Sequence, residues 1–208
     1  MQHKTSLAIF DYWEQLCSGR DAPSRSEIDP AAIRAHLPDL FILEHGADGS
    51  IRFRLAGTRI CLLLGKEVRD HIFDSLWSVE SLHRARRVGE AVLASRLPSV
   101  MTISGRTDDG ENVPLEMLLL PLKSKTGACD RIFGSLVALS ADRTFSRPIV
   151  QLDIDDILFL GPDIRGTILK NRIDPPAPTV VARSDASALG QMFNRIMHLR
   201  VFDGGRRD

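Results

Sequence analysis

The sequence predicts an α+β fold: a five-stranded antiparallel sheet with a helical middle segment, an N-terminal flanking helix and a C-terminal extension. Three observations carry this prediction, namely apolar residues that alternate in the strand segments, Asp-Gly turns between strands, and apolar stripes at helical spacing elsewhere. The 208 residues suffice for one large domain. With 43% hydrophobic and 26% charged residues, the chain has the composition of a folded globular protein.

The first predicted element is an amphipathic helix over residues 6–18, with Ser6 as its N-cap and Gly19 as its stop. Its apolar residues form one stripe that must be buried against another surface. The stripe consists of Ile9, Phe10, Trp13, Leu16 and Cys17. Because a long polar loop follows, we expect the helix to leave its own domain and form a homodimer interface through this stripe. Packing against its own sheet is the alternative.

A short helix is predicted after Asp29-Pro30, where an N-cap residue precedes a proline at the first helical position. Two strands then follow, residues 40–44 and 51–56, joined by a turn at Asp48-Gly49. The second strand alternates strictly, so one of its faces is apolar and the other charged. We place Ile51, Phe53 and Leu55 on the core face and Arg52 and Arg54 on the opposite face.

The helical middle begins with Thr58 as a cap and ends in an amphipathic helix over residues 80–95. Three more strands are predicted over residues 99–106, 112–122 and 131–140, the first two joined by an Asp-Gly turn. Strands linked in this way form an antiparallel meander. We therefore expect a domain over residues 6–140 and an extension over 141–208. The extension holds a proline-rich linker near 174–179 and an amphipathic helix near 185–200.

The order of two strands, a helical middle and a three-stranded meander is that of a PAS domain, and particular residues strengthen the likeness. The chain resembles a bacterial PAS-like family, formerly described as a domain of unknown function, with a tryptophan-bearing N-terminal helix. The matching residues are Trp13, Pro23, Arg25, Asp29-Pro30, Leu37-Pro38, the run 53–58, Gly65, Leu76-Trp77, the run 116–122 and Gly134. Family members often carry a glycine shortly after Gly65, where this chain has Arg69-Asp70-His71.

This resemblance implies a sensory or regulatory module that works through protein–protein interaction, in the manner of bacterial signalling proteins, without catalytic residues of its own. The residues agree with this implication, because we find no nucleophile elbow, no phosphate-cradling glycine loop and no metal-ligand spacing. Glu116 lies between Leu115 and Met117 and so faces away from them. Its side chain is either a buried acid or base or, as we expect, a solvent-facing or structurally paired carboxylate.

Cofactor binding is the alternative class of function, and the sequence predicts no cofactor. A haem-binding member would need an axial histidine in the helical middle, where His71 and His83 lie, but His83 falls on the charged face of its helix. A flavin-binding light sensor would carry an Asn-Cys-Arg-Phe-Leu-Gln string, which the residues around Cys61 do not match. A small apolar ligand lined by Trp77, Met101 and Met117 stays open as an alternative to core packing.

The charge and the cysteine content limit which partners and which cellular compartment the sequence predicts. The chain has 27 basic and 27 acidic residues, so no basic excess points to nucleic acid. Three widely spaced cysteines and the lack of an apolar leader or membrane-length run favour a cytoplasmic protein. The predicted C-terminal helix is basic and amphipathic, so it fits a membrane surface or an acidic partner, with packing against its own domain as the alternative.

Overall fold

A six-stranded antiparallel sheet forms the middle layer of the protein. The computed structural model describes residues 1–139 and 147–161. The strands are β1 Leu40–His45, β2 Ile51–Ala56, β3 Ser99–Thr107, β4 Asn112–Leu122, β5 Arg131–Ala138 and β6 Ile149–Phe159. Their spatial order is β2-β1-β5-β4-β3-β6. The α+β class predicted from the sequence is confirmed, with six strands in the described residues where five were predicted.

Helices cover both faces of this sheet. They are α1 Lys4–Cys17, α2 Thr58–Leu63 and α3 Val79–Ser95. Helix α1 packs on one face, which we call the outer face, whereas α2, α3 and a short 3-10 helix at Phe73–Leu76 pack on the inner face. Helix α3 begins where an N-cap predicts, because the Ser78 hydroxyl accepts the Ser81 backbone N–H at 3.1 Å.

The start of α1 differs from the prediction. The helix begins at Lys4, and its N-cap is His3, whose Nδ1 accepts the Thr5 backbone N–H at 3.1 Å. Ser6 is therefore an interior helical residue and is fully buried. Its hydroxyl lies 3.4 Å from the Ser135 hydroxyl of β5, so two small polar side chains mark the close contact between helix and sheet.

Two other helical predictions also need correction. The residues after Asp29-Pro30 form turns where a helix was predicted. The Asp29 carboxylate accepts the Ala31 backbone N–H at 2.9 Å, as an N-cap does, but the residues that follow form turns and not a helix. Thr58 is the first residue of α2 and not its cap, which is Gly57.

The two faces of the sheet bury separate apolar clusters. The inner cluster lies beneath α2 and α3, and the outer cluster lies beneath α1. Alternation along β4 shows the division, because Leu115, Met117 and Leu119 belong to the inner cluster while Leu118 and Leu120 belong to the outer one. The sheet is thus buried on both sides, as the middle layer of three.

Leu55 does not lie on the core face, which corrects the predicted register of β2. Ile51 and Phe53 are 3% and 1% exposed, as predicted, but Leu55 is 45% exposed. The cause is a β-bulge, since Leu55 pairs with Ile42 while Phe53 pairs with the next residue of β1. The bulge leaves Arg54 without a partner in the ladder and turns Leu55 toward the outer face.

Strand β6 was not predicted from the sequence. Its 11 residues include Asp153, Asp155 and Asp156, which interrupt the alternation that identifies a strand. The strand accommodates them with two irregularities in its pairing to β3, at Val150 and at Asp155. Ile149, Leu152 and Ile154 still reach the inner cluster, so burial of alternate apolar residues between bulges holds the strand in place.

The chain segment between β2 and α3 covers both edges of the sheet. At β2, the Phe53 backbone N–H donates to the His71 carbonyl at 3.0 Å. At β6, the Ser78 backbone N–H donates to the Leu152 carbonyl at 2.9 Å. Open strand edges are templates for pairing with other chains, and these bonds occupy part of both edges.

The proline-rich linker near 174–179 and the basic helix near 185–200 lie outside the described residues. Among the residues that are described, no helix combines the length and the apolar composition that crossing a bilayer requires.

Asp21 ties the loop after α1 to two other parts of the chain and gives a pH-dependent prediction. Its carboxylate accepts hydrogen bonds from Lys123 Nζ, at 2.6 Å, and from Arg96. These bonds, with Lys123 as the larger cause, lower the pKa of Asp21 from 3.8 to about 2. A carboxylate with a depressed pKa stabilises the folded state above its unfolded pKa and loses that contribution as the pH falls.

We therefore expect Asp21→Asn to destabilise the protein most above pH 4, with the difference from wild type closing as the pH approaches 2. Urea unfolding of both proteins from pH 2 to pH 6 measures this difference. A gap that stays constant, or that widens in acid, would show that the ionised carboxylate does not stabilise the fold.

Candidate functional site

The three residues proposed to line a pocket all belong to the inner cluster. Met101 of β3 pairs with Met117 of β4 in the sheet, and both are fully buried. Trp77 precedes α3 and is 6% exposed. Its ring packs edge-on against Phe73 at 5.5 Å and continues a row of aromatic rings through Phe53. The sequence thus identified residues of the interior between the sheet and α3.

Trp77 places an unpaired hydrogen-bond donor in the inner cluster. Within the described residues, its indole Nε1 is buried and finds no hydrogen-bond acceptor. An unpaired buried donor costs about 1–3 kcal/mol, so such groups are rare in native proteins. The Ser99 hydroxyl is also buried without a partner among these residues. Trp77 bridges to Leu152, which pairs with Gly105 near the end of β3, whereas Ser99 is the first residue of that strand. The two groups do not form one site.

The residues considered for haem and flavin lie elsewhere. His71 and His83 are both exposed, on the surface of the helical middle. Cys61 of α2 is half-buried, and its thiol donates to the Glu67 carboxylate at 3.6 Å. Burial is the main cause that raises the pKa of the Cys61 thiol, so this sulfur is held as a thiol at neutral pH.

Glu116 is a structurally paired carboxylate beneath the start of α1. It is 2% exposed and faces the outer side of the sheet, as alternation predicted. The backbone N–H groups of Gln2 and His3 donate to its two oxygens at 2.6 and 3.1 Å. The side chain therefore anchors the residues that lead into α1, and its lone pairs are engaged by the backbone.

The stripe of α1 is covered within a single chain. Ile9, Phe10 and Trp13 are fully buried against the outer face of the sheet, Cys17 is 1% exposed and Leu16 is partly buried. This burial is the alternative to the dimer interface that the sequence analysis assigned to these five residues. A second chain could reach the stripe only after α1 had left its own sheet. Dimerisation through the stripe therefore stays a prediction, and the stripe offers no exposed surface for it in the described residues.

A basic groove lies at the turn between β4 and β5, and the sequence analysis did not find it. The groove encloses about 530 Å³. Its walls carry the cations Arg25, Lys125 and Arg131, the hydroxyls of Ser26, Ser124 and Thr126, and the carboxylate of Asp130. Because about 100 residues separate Arg25 and Ser26 from the other five, only the folded chain brings them together. Arg25 entered the sequence analysis solely as part of the family resemblance.

We find no metal-binding cluster in the part of the chain that the structure describes. There, no three His, Cys, Asp or Glu side chains are placed to hold a metal ion together. The described residues thus form an antiparallel sheet with a buried apolar cluster on each face, helices between its second and third strands, and a surface groove of mixed polar groups.

This architecture is that of an α+β domain, and comparison with known families gives its particular family. The model of a family described as PAS domain matches residues 1–137. The chain belongs to this family of PAS domains, which are sensory signalling modules. The resemblance drawn from the sequence is thereby confirmed.

The solved structures to which the chain is similar are distant. They include a light-oxygen-voltage (LOV) protein of Rhodobacter sphaeroides, with 15% identity and a TM-score of 0.43, covering 55% of this chain and 70% of that one. A PAS domain from Colwellia psychrerythraea has 13% identity and a TM-score of 0.41, covering 55% and 100%. The LOV domain of the blue-light photoreceptor Aureochrome1 has 13% identity and a TM-score of 0.40, covering 53% and 88%. The comparison with curated proteins gave no match.

Proposed function

We propose that this PAS domain is a regulatory module that works by protein–protein contact and catalyses no reaction of its own. The observation that carries the proposal is a group of exposed leucines around α2, which we call the α2 patch. It consists of Leu37, Leu55 and Leu62, which are 37%, 45% and 78% exposed. Exposed apolar side chains that gather on one surface are typical of interaction sites.

Leu37 starts the 3-10 helix that precedes β1, Leu55 lies in the edge strand β2, and Leu62 lies in α2, which follows β2 in the chain. Leu62 and Arg59 are three residues apart and share a face of α2. Arg59 forms an ion pair with Asp39, which belongs to the 3-10 helix that starts at Leu37. Leu55 is the residue that the bulge in β2 turns away from the inner cluster. The α2 patch is therefore built on hydrogen-bonded and ion-paired elements, which favours a preformed contact surface.

The partner that we propose for the α2 patch is a second copy of the chain. The formal net charge is zero, with 27 basic and 27 acidic residues, so two copies approach without long-range repulsion. An apolar patch is self-complementary under two-fold symmetry. This proposal keeps the homodimer predicted from the sequence and moves its contact from the buried stripe of α1 to an exposed surface.

The test is the dimer dissociation constant of the full chain. We expect a homodimer at micromolar concentration in analytical ultracentrifugation, and Leu62→Glu should raise the dissociation constant at least tenfold because it places a charge in the contact. Val79→Glu is the matched control, since Val79 is 87% exposed on α3, away from the α2 patch. A monomer at 100 µM, or equal weakening by both variants, would contradict the proposed contact.

We base the proposed lack of catalysis on two of the buried carboxylates among the described residues. Glu116 accepts two backbone hydrogen bonds, and Asp39 is paired with Arg59. Neither group is left with a neighbouring nucleophile or a general base to activate. The cytoplasmic location predicted from the sequence stays a prediction.

Sensing of a small molecule is the second candidate function, and the unpaired indole of Trp77 favours it. A ligand with a hydrogen-bond acceptor would satisfy the buried Nε1. We propose that neither haem nor flavin is that ligand, because His71 and His83 are exposed and the Cys61 thiol is bound to Glu67. Native mass spectrometry would detect a retained ligand as excess mass. A Soret or flavin absorption band would overturn the proposal on cofactors.

A further inference from the structure

The walls of the basic groove are joined by the backbone. The Arg25 N–H donates to the Lys123 carbonyl at 2.8 Å, and the Lys123 N–H donates to the Pro23 carbonyl at 2.9 Å. On the other wall, the turn between β4 and β5 closes through a 2.8 Å bond from the Ser124 N–H to the Ala128 carbonyl. The groove therefore exists before any ligand arrives, which lowers the entropic cost of binding.

Two cations in the groove have no counter-charge. Arg25 and Lys125 have no carboxylate within ion-pair distance among the described residues, whereas Arg131 is paired with Glu44 at 2.7 Å. Glu27, two residues after Arg25, is already paired with another cation. Its carboxylate accepts hydrogen bonds from Nη2 and Nη1 of Arg20 at 2.6 and 3.1 Å. An anion that enters the groove meets two unpaired positive charges.

Two carboxylates close to Arg25 in sequence, Glu27 and Asp21, form hydrogen bonds with other groups. Glu27 also accepts the Ser24 backbone N–H at 2.7 Å, and the bond from Arg20 is the main cause that lowers the pKa of Glu27. Asp21 is held by Lys123 and Arg96. Glu27 and Asp21 therefore already have other cationic partners.

We propose that the basic groove binds a phosphate monoester of a small molecule that carries hydroxyl groups. The phosphate would lie between Arg25 and Lys125, since guanidinium and ammonium groups bind phosphate through charge-assisted hydrogen bonds. The hydroxyls of Ser124 and Thr126, 2.8 Å apart, supply further donors. A groove of about 530 Å³ falls in the range of small-ligand sites, roughly 300–1,000 Å³.

Asp130 determines which phosphate compound the groove prefers. Its carboxylate lines the groove and lies 3.9 Å from Arg131, so a negative charge remains on one wall. The carboxylate repels the phosphate group of either compound, but Asp130 Oδ1 has no hydrogen-bond partner among the described residues, and a ligand hydroxyl that reached it would donate to it. The combination selects a ligand with an anionic end and a donor-bearing end, such as a phosphorylated sugar or polyol.

Calorimetric titration of the full chain tests this proposal with three probes: glucose 6-phosphate, inorganic phosphate and glucose. We expect glucose 6-phosphate to bind more tightly than inorganic phosphate, and glucose to show no binding. The double variant Arg25→Ala/Lys125→Ala should weaken glucose 6-phosphate binding at least tenfold. The matched double variant Lys66→Ala/Arg87→Ala removes exposed cations outside the groove and should leave binding within twofold of wild type.

Asp130→Asn gives the sharper test because its effects have opposite signs. Removal of the carboxylate charge should tighten inorganic phosphate binding several-fold and reduce the preference for glucose 6-phosphate. Absence of heat from both phosphate compounds at millimolar concentration, without retention on the vesicles described next, would overturn the proposal. Equal losses in the two double variants would overturn it as well.

The same chemistry occurs on lipid headgroups, and a second arm distinguishes this source. Flotation with phosphatidylcholine vesicles, with and without phosphatidylinositol 4-phosphate, reports binding to a phosphorylated polyol held in a membrane. Retention on the phosphoinositide vesicles without a response to glucose 6-phosphate assigns the ligand to the lipid. The reverse result assigns it to a soluble compound. Neither outcome depends on dimerisation, so the α2 patch and the basic groove succeed or fail separately.

Discussion

Replacing Trp13 with alanine should lower the free energy of unfolding by about 3–5 kcal/mol, the usual cost of truncating a large buried aromatic side chain. The ring is fully buried between α1 and the outer face of the sheet, and it stacks on Phe10 at 6.3 Å. Its Nε1 donates to the Pro121 carbonyl of β4 at 2.9 Å, so the variant also leaves a buried acceptor unpaired. Urea denaturation followed by circular dichroism measures the change.

Gln15→Ala is the control for this variant, because Gln15 is exposed on the same helix and its substitution should change stability by less than about 0.5 kcal/mol. The comparison also decides the role of the α1 stripe. If Trp13→Ala were as stable as wild type but shifted from dimer to monomer, the stripe would be an interface after all. Loss of stability at low protein concentration assigns it to the core of one chain.

Phe53→Ala should cost about 3–5 kcal/mol, whereas Leu55→Ala, two residues along the same strand, should cost less than about 1 kcal/mol. Phe53 is 1% exposed and packs against Phe41 and Phe73, with ring centroids 5.8 and 6.1 Å apart. Leu55 is 45% exposed beyond the bulge. The two variants therefore separate the observed register of β2 from the strict alternation read from the sequence.

Equilibrium unfolding in urea of wild type and both variants provides the measurement. Strict alternation would make the two losses similar, since it places both side chains in the core. A large cost for Leu55→Ala would show that the strand continues without a bulge. Arg52→Ala adds a third point, because Arg52 is directed away from the inner cluster and its loss should change stability little.

Much of the fold was predictable because the strands of the meander repeat a simple pattern. The bounds predicted for β4 are those observed, residues 112–122, and both Asp-Gly turns connect the strands that they were predicted to connect. The charged face of α3 also lies in solvent as its spacing predicted, with His83 exposed. In each case one residue pattern determines one local structure, so no knowledge of the rest of the chain is needed.

The unpredicted features depend on contacts between distant parts of the chain. The apolar stripe of α1 shows that the helix packs against some surface, but the stripe alone does not show which one. In the structure that surface is the outer face of the same sheet. The bulge in β2 depends on its pairing with β1, and β6 depends on apolar contacts made between its aspartates. The basic groove joins Arg25 to the turn between β4 and β5 through backbone bonds that no local pattern encodes.

The burial of α1 beneath β4 has a consequence for synthesis of the chain. The Trp13 indole and its acceptor, the Pro121 carbonyl, are 108 residues apart. At about 5–20 residues per second, a ribosome needs roughly 5–20 s to make the residues between them. Throughout that interval the apolar stripe of the nascent helix has no sheet to cover it, so it is available to chaperones. High sequence separation also slows folding after release, because the loop must close before the contact is gained.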